Sequence, residues 1–523
     1  MECNRRTFIR QLGLGALGAG MLAHLPSAEI AALPKPIGFL PRSTPGNQGT
    51  SASQISAFLD AVAESKISFH SLMVVRHGHV IAEGWWNPYD PTLKHTLYSL
   101  SKSFTSTAAG LAIEEGLFKL DSPVISFFPD QLPAVVSDNL KAMTVRHLLT
   151  MSTGHAKDTI PDLRNSGLNN WPKLFLQLPV EHAPGSAFLY NTGATYMVSA
   201  IIQKTSGQTL AAFLKSRLFN PLGITDWDWE SDPDGISTGG YGLRVTTEDI
   251  AKFGLLYLNG GKWNNQQIVP TNWVKAATSA QISNAPLNPT GPLDENDWAQ
   301  GYGYQFWRCT HNAFRGDGAF GQFCLMLPEQ DAVIAITAES FDLQGSLKLV
   351  WKHLLPAFDG ADDPANTRGL RTKLSQLQLA APTGIAVQPP ADKTFEFADN
   401  ALKIKRLRVQ TSAKGCSLTV VNANGRFSFK AGWSQWMVTE KFKTQQLFPL
   451  QRAPVVDTPL AATACWKDDS TLVITLRYSA TAHGDQITLR HDANKVIVQF
   501  LNSVSQGSPT SAEQRPELTG TMV

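Results

Sequence analysis

Apolar and polar positions alternate between two periods along this chain. From Ser53 to Glu64 the apolar residues recur at helical spacing, which predicts an amphipathic helix. The run Ser71 to Gly84 (SLMVVRHGHVIAEG) reads as two short strands turning at Gly78. Ser99 to Glu115 mixes small and apolar residues in a strong helical pattern that stops near Gly116. Further helices are expected over Val145–Met151, Thr195–Lys204, Leu210–Arg217, Thr247–Leu258 and Pro270–Ala277. A hairpin follows at Gln322–Pro328 and Ala332–Ala338, and a closing helix at Leu347–Leu355. Strands at both ends with helices between predict one mixed α/β (α+β) domain whose sheet recruits both ends.

Beyond Asp359 the texture changes. A Pro-, Ala- and Asp-rich stretch reads as a linker over 358–388. Short alternating strands with Gly, Asn or Asp turns then run from Thr394–Phe397 to Val496–Leu501, predicting a small all-β domain, barrel or sandwich, over 389–505. It is expected to fold as a separate module and to supply no catalytic side chain. The polar residues 506–523 read as a flexible tail. A hydrolase-like region over 50–357 completes the division, and 523 residues are too many for one ordinary core.

Composition adds constraints. An apolar fraction of 43% against 17% charged describes a folded globular chain. The net charge of +2, with no Lys/Arg block in the mature region, argues against a nucleic-acid partner. At the N-terminus Arg5-Arg6-Thr7-Phe8 precedes a short Gly/Ala-rich apolar stretch ending in small residues. Residues 1–32 therefore read as a signal peptide resembling the bacterial twin-arginine class, which implies contact with that export machinery and a periplasmic or secreted destination. An oxidising destination makes Cys309–Cys324 and Cys416–Cys465 candidate disulfides, with four buried thiols as the alternative. The His and Cys residues show no metal-ligand spacing, and no cofactor is implied.

The candidate chemistry lies at the start of the Ser99 helix. Ser-x-x-Lys alone is weak, since about two would occur by chance in a chain this long. Here, however, it opens a helix expected to be buried, so Lys102 falls on the same face as the Ser99 hydroxyl. Burial disfavours an ammonium, and a neutral lysine can take the serine proton. The first helical turn also presents backbone N–H groups, Ser99's included, to a developing oxyanion.

This segment resembles the nucleophile helix of serine β-lactamases, penicillin-binding proteins and their esterase and amide hydrolase relatives, including 6-aminohexanoate-dimer hydrolase-like proteins. The resemblance extends over roughly Ile55 to Leu355. It includes Thr144-Val145-Arg146-His147-Leu148-Leu149 with Ser152 and Gly154, Pro184 to Gly193, Leu218-Phe219-Asn220-Pro221-Leu222-Gly223, and Gly242 through Asp249 to Phe253. It implies a β-lactamase/transpeptidase-like domain with Ser99 as nucleophile, Lys102 as base and Tyr190 as proton relay. Tyr190 is expected to be neutral, with a cationic Lys102 as an influence that would lower its pKa.

Two places depart from the pattern. The family asparagine two residues after the tyrosine is replaced by Thr192, with Asn191 displaced by one; both are candidate orienting residues. The third motif, Lys-Thr-Gly or His-x-Gly in relatives, falls in Arg315-Gly316-Asp317-Gly318-Ala319-Phe320-Gly321, with Gly316 the preferred first position and Ala319 the other. The Ala319 N–H, just after Gly318, is the second candidate oxyanion donor. Arg315 is either a substitute cation for a substrate carboxylate or a surface cap on the turn. Tyr302, Trp307 and Phe320 are candidates for an apolar acyl pocket.

The resulting expectation is an exported serine hydrolase acting on a small ester, non-lactam amide or short peptide. The alternatives are a β-lactamase or D-alanyl-D-alanine carboxypeptidase, and a catalytically impaired envelope sensor or binding protein.

Overall fold

In the computed structural model, residues 39–65, 67–286, 291–360, 364–385, 391–442, 458–507 and 512–523 are described. The expected signal peptide at 1–32 lies outside them. Helix α1 (Ala52–Glu64), capped by Ser51, is followed by strands β1 (Ser68–Arg76) and β2 (His79–Trp85), which turn at His77-Gly78. The Ser99 segment begins as a 3-10 turn (Tyr98–Leu100) and continues as α2 (Ser101–Glu114). Helices α3 (Thr192–Ser206) and α4 (Thr247–Leu258) follow. Then come β3 (Trp307–Arg308), β4 (Phe314–Gly318), β5 (Gln322–Leu327) and β6 (Ala332–Glu339).

These strands make a six-stranded antiparallel sheet in the order β2-β1-β6-β5-β4-β3. The first and last long strands pair along their length, from Ser68 opposite Glu339 to Arg76 opposite Ala332, so the sheet does recruit both ends of the region. Both faces are buried. Met73, Val75, Val333 and Ala335 face a core that includes α2, α3 and α4. Leu72, Val74, Ile334 and Ile336 face a second core against α1 and the helix α5 (Leu343–Leu349). Two covered faces explain why β5 and β6 read as unbroken apolar runs.

The stretch 358–388 is not a bare linker. Within it α6 (Pro364–Ser375) packs on α1 and β2, with Leu370 buried and Leu374 and Leu377 lying against Gly84. Leu370 and Leu374 share one helical face and Leu377 follows just past the helix end; the surrounding Pro and Asp mask the pattern.

Among its described residues the all-β domain contains ten strands: β7 (Asp392–Phe397), β8 (Ile404–Ser412), β9 (Gly415–Asn422), β10 (Gly425–Trp433), β11 (Met437–Phe442), β12 (Thr458–Trp466), β13 (Thr471–Tyr478), β14 (Gly484–Asp492), β15 (Lys495–Asn502) and β16 (Leu518–Met522). Antiparallel pairing runs β10-β9-β8-β7-β16-β15-β14-β13-β12-β11, and a parallel contact between β10 and β12 closes the barrel around its own core. The expected flexible tail is corrected at 518–522: β16 fills the gap between β7 and β15, whose edges would otherwise be open. The alanine-rich β12 escapes a sequence reading because alanine is a weak strand former.

Both expected disulfides are also corrected; Cys309, Cys324, Cys416 and Cys465 are buried free thiols. Cys324 faces the α4 side of the sheet and Cys309 the opposite core, so the sheet separates them. Cys416 points into the barrel, whereas Cys465, between the inward-facing Ala464 and Trp466, points out of it toward Gly384. Alkylation under denaturing, non-reducing conditions should therefore modify Cys309, Cys324, Cys416 and Cys465, and the native melting temperature should not respond to dithiothreitol. A mass deficit of two labels would show a disulfide.

Candidate active site

Tyr98 enters the Ser99 turn with φ +47°, a left-handed conformation that costs a tyrosine energy and redirects the chain just before Ser99. Ser99 is half-buried, while α2 from Ser101 to Ala112 is wholly buried. Strand β4 presses onto this turn through its glycines. A Cβ on Gly316 would come within 2.4 Å of Leu100 and 2.6 Å of the Ser103 hydroxyl; one on Gly318 would meet the Leu97 carbonyl at 2.1 Å. Only Gly permits that approach, which brings the strand at Gly318 onto the backbone of Leu97 and Leu100 on either side of the Tyr98–Ser99 pair.

Lys102, 1% exposed, donates from Nζ to Ser99 Oγ at 3.1 Å, to Thr192 Oγ1 at 3.2 Å and to the Gly240 carbonyl at 2.9 Å. Burial pulls its pKa from 10.5 down to about 7, against the opposing pull of Asp158 and Asp317. The Tyr190 ring lies 4.9 Å from Lys102 Nζ and stacks on Trp307 at 5.5 Å, which sets its phenol on the Ser99 side of the lysine, near enough for the Ser99 hydroxyl to influence its ionisation. Burial, with Asp317 and Asp158, drives the phenol's pKa upward. The net shift is upward, opposite to the lowering expected from Lys102, because burial of the phenol is the largest influence.

The two second-motif residues part company. Asn191 caps α3: its Oδ1 accepts from Gly193 N and Ala194 N and from Thr159 Oγ1 at 2.8 Å, so it faces away from the serine. Thr192 is the residue against Lys102, with its own N–H donating to Asp158 Oδ1 at 2.8 Å.

Arg315 has neither expected role. It is fully buried, donating from Nε to Asp317 Oδ2 at 2.8 Å and from Nη1 to the Asp297 carbonyl at 2.8 Å and Cys309 Sγ at 3.0 Å. Its guanidinium also lies 4.3 Å from the Trp298 ring centre. Burial pushes the Asp317 carboxyl up, while Arg315 and Lys102 pull it down. Asp317 and Asp158 were missed in the sequence. Asp317 is the side chain between the two third-motif glycines and was there to be weighed; Asp158, alone in a loop, carries no signal.

Of the three aromatics, Tyr302 and Trp307 cluster with Met151, Phe188 and Tyr190 beside the serine. Phe320 instead packs on Tyr98 at 5.3 Å and on His483 of the barrel at 4.6 Å. The barrel is thus not remote from the site: its Ser479–His483 loop lies against the segment leading into Ser99, with Thr96 N donating to the Ala480 carbonyl at 3.0 Å. Among the described residues, no group of three or more His, Cys, Asp or Glu is arranged to hold a metal ion.

A two-faced antiparallel sheet with its serine turn wedged beneath a glycine strand places the molecule among the β-lactamase-related hydrolases. The family model described as Beta-lactamase matches residues 56–355, more than half of the chain, and the chain belongs to that family. It is 26% identical over 204 residues to Esterase EstB of Burkholderia gladioli, a match covering 34% of this chain and about half (52%) of the esterase. With 6-aminohexanoate-dimer hydrolase of Paenarthrobacter ureafaciens it shares 24% identity over 284 residues, 50% of this chain and 71% of that one. A solved structure assigned as a β-lactamase, from Bacteroides dorei, aligns with TM-score 0.50 and 18% identity over 59% of this chain and 98% of that one, a likeness of fold.

The buried lysine carries a stability cost of definite sign. An unfolded Lys102 holds its proton up to about pH 10.5, the folded one only to about 7, so stability rises with pH between those values. Lys102→Met should melt about 5 °C or more above the wild type at pH 7, with the gap narrowing toward pH 10. Melting curves across that range check this; a variant that melts lower at pH 7 would contradict it.

Proposed function

We propose that this protein is a serine hydrolase that cleaves a carboxylic ester or non-lactam amide through an acyl-enzyme on Ser99. The observation that carries this reading is the 3.1 Å contact between Ser99 Oγ and a lysine amine whose burial keeps it partly neutral. Ser99 gives its proton to Lys102 as Oγ attacks the acyl carbon. The tetrahedral oxyanion sits between the N–H groups of Ser99 and Ala319. Tyr190, a phenol that burial keeps protonated, passes its proton to the departing alcohol or amine and is refilled with the one Lys102 took from Ser99; in deacylation the attacking water gives a proton to Lys102 by the same route, and Ser99 Oγ takes it as the acid leaves. Thr192 orients the lysine from the other side.

The third motif favours esters and plain amides over β-lactams and stem peptides. Those substrates place a carboxylate beside the scissile bond, and the third-motif strand here carries Gly316 and Ala319 where relatives carry a Lys or His. Arg315, which could have supplied a cation, is consumed in the ion pair with Asp317. The relationship to an esterase and to an amide hydrolase agrees with this.

A fluorophosphonate should label Ser99, and Ser99→Ala should abolish labelling. Lys102→Ala should lower kcat about 10²–10⁴-fold, and Tyr190→Phe should lower it strongly without a change in melting temperature. Because the neutral amine is the active form, kcat/KM for p-nitrophenyl acetate should rise with pH through an apparent pKa near 7 and level off above it. Labelling at Ser101 or Ser103, or faster turnover of a penicillin than of the aryl ester, would redirect the assignment.

We also propose export by the twin-arginine route, a reading that rests on Arg5-Arg6, on Phe8 and on the short Gly/Ala-rich apolar stretch that follows. No helix among the described residues is long and apolar enough to cross a membrane. Changing Arg5 and Arg6 together to Lys should leave precursor in the cytoplasm; normal periplasmic accumulation would reject the route.

A further inference from the structure

The two candidate oxyanion donors, Ser99 and Ala319, each adjoin a residue held in the left-handed region without being glycine: Tyr98 at φ +47° and Phe320 at φ +66°. Such conformations persist only where neighbours over-determine them. One side chain of the barrel touches both. His483 Nε2 lies 2.7 Å from the Tyr98 hydroxyl, and its ring meets Phe320 edge-on at 4.6 Å and 86°. Phe320 and Tyr98 also contact each other, at 5.3 Å.

The imidazole is itself fixed. Its Nδ1 lies 3.0 Å from Glu339 Oε1, at the end of β6, so Nδ1 carries the proton and donates, leaving Nε2 to accept from the Tyr98 hydroxyl. Glu339 also accepts from Arg477 Nη1 at 2.7 Å and from the Ser503 hydroxyl, both from the barrel. The loop bearing His483 is braced by Thr481 N donating to the Tyr478 carbonyl at 2.8 Å and His483 N donating to Thr481 Oγ1 at 3.0 Å. It is keyed to the hydrolase domain by the Thr96–Ala480 bond and by Tyr89 OH donating to the Thr481 carbonyl at 3.1 Å.

We infer that His483 is a positioning residue for the hydrolytic site, through which the C-terminal barrel holds Tyr98 and Phe320, and with them the Ser99 and Ala319 peptides, in the geometry an oxyanion requires. His483 does not touch the reacting atoms; it acts through two backbone turns. The barrel is then a working part of the enzyme and not an appended module. This rests on the acyl-enzyme reading of Ser99.

A simple docking role for His483 makes a different forecast, since it would move stability and leave turnover alone. The test uses the full chain with His483→Ala, Tyr98→Phe, the double variant, His483→Gln as the conservative replacement that keeps an acceptor, and Tyr89→Phe as a loss of a docking bond away from the turn. Each is measured below its own melting transition for fluorophosphonate acylation of Ser99 and for kcat and KM on p-nitrophenyl acetate. A misplacement of this kind should slow acylation and kcat by about 10–100-fold with KM little changed. The loss should be similar in Tyr98→Phe and His483→Ala, no larger in the double variant, and partly restored in His483→Gln, with Tyr89→Phe at the wild-type rate. Wild-type acylation rates in Tyr98→Phe, or multiplying losses in the double variant, would overturn the inference. Equal slowing by Tyr89→Phe would also overturn it in favour of general docking. If the wild type is not labelled at Ser99 at all, the serine reading has failed first, and that outcome is distinct from the others.

Discussion

A lysine amine enclosed beside a serine hydroxyl sets the terms for the rest of this molecule. An ammonium loses hydration when buried, and a site that keeps Lys102 near 1% exposure must either neutralise it or surround it with acceptors. Both occur. Ser99, Thr192 and the Gly240 carbonyl supply three acceptors, while Asp158 and Asp317 pull the pKa back up from farther off. The outcome is an amine balanced near neutrality.

Holding that balance requires rigid walls. Helix α2 is buried along nearly its whole length, with Phe104 stacked on Phe253 of α4 at 3.9 Å and Gly110 closed over by Trp273. On the other side, the glycines of β4 admit the serine turn to within contact of the strand backbone. The Arg315–Asp317 pair behind that strand is buried, a costly arrangement unless the remaining donors are met. The Asp297 carbonyl, the Cys309 sulfur and the faces of Trp298 and Trp307 meet much of that requirement. A charge that looks available in the sequence is thereby withdrawn from substrate binding.

The barrel extends the same logic. It has its own core, yet Glu339 at the end of the central strand β6 is satisfied chiefly by barrel residues, Arg477, His483 and Ser503. A buried carboxylate at that point would be expensive without them. The hydrolase domain and the barrel therefore complete one another's polar groups within a single compact unit spanning Leu40 to Val523.

Much of this was legible from the residues in order. Local periodicity marked α1, α4 and the β1–β2 and β5–β6 hairpins closely, because each has one strong apolar pattern bounded by turn residues. The spacing of Ser99 and Lys102 placed both on one helical face, and the order of motifs identified the fold. What the chain alone could not decide were facts of direction and enclosure. Whether Asn191 or Thr192 meets the lysine depends on which one caps α3. Whether Arg315 faces substrate or Asp317 depends on which side of β4 is buried. Cys309 and Cys324 look like partners only until a sheet is placed between them, and His483 becomes a neighbour of Tyr98 only when the barrel docks, 385 positions later in the chain. Periodicity and spacing are local properties and survive in one dimension; side-chain direction, desolvation and long-range contact exist only once the elements have packed.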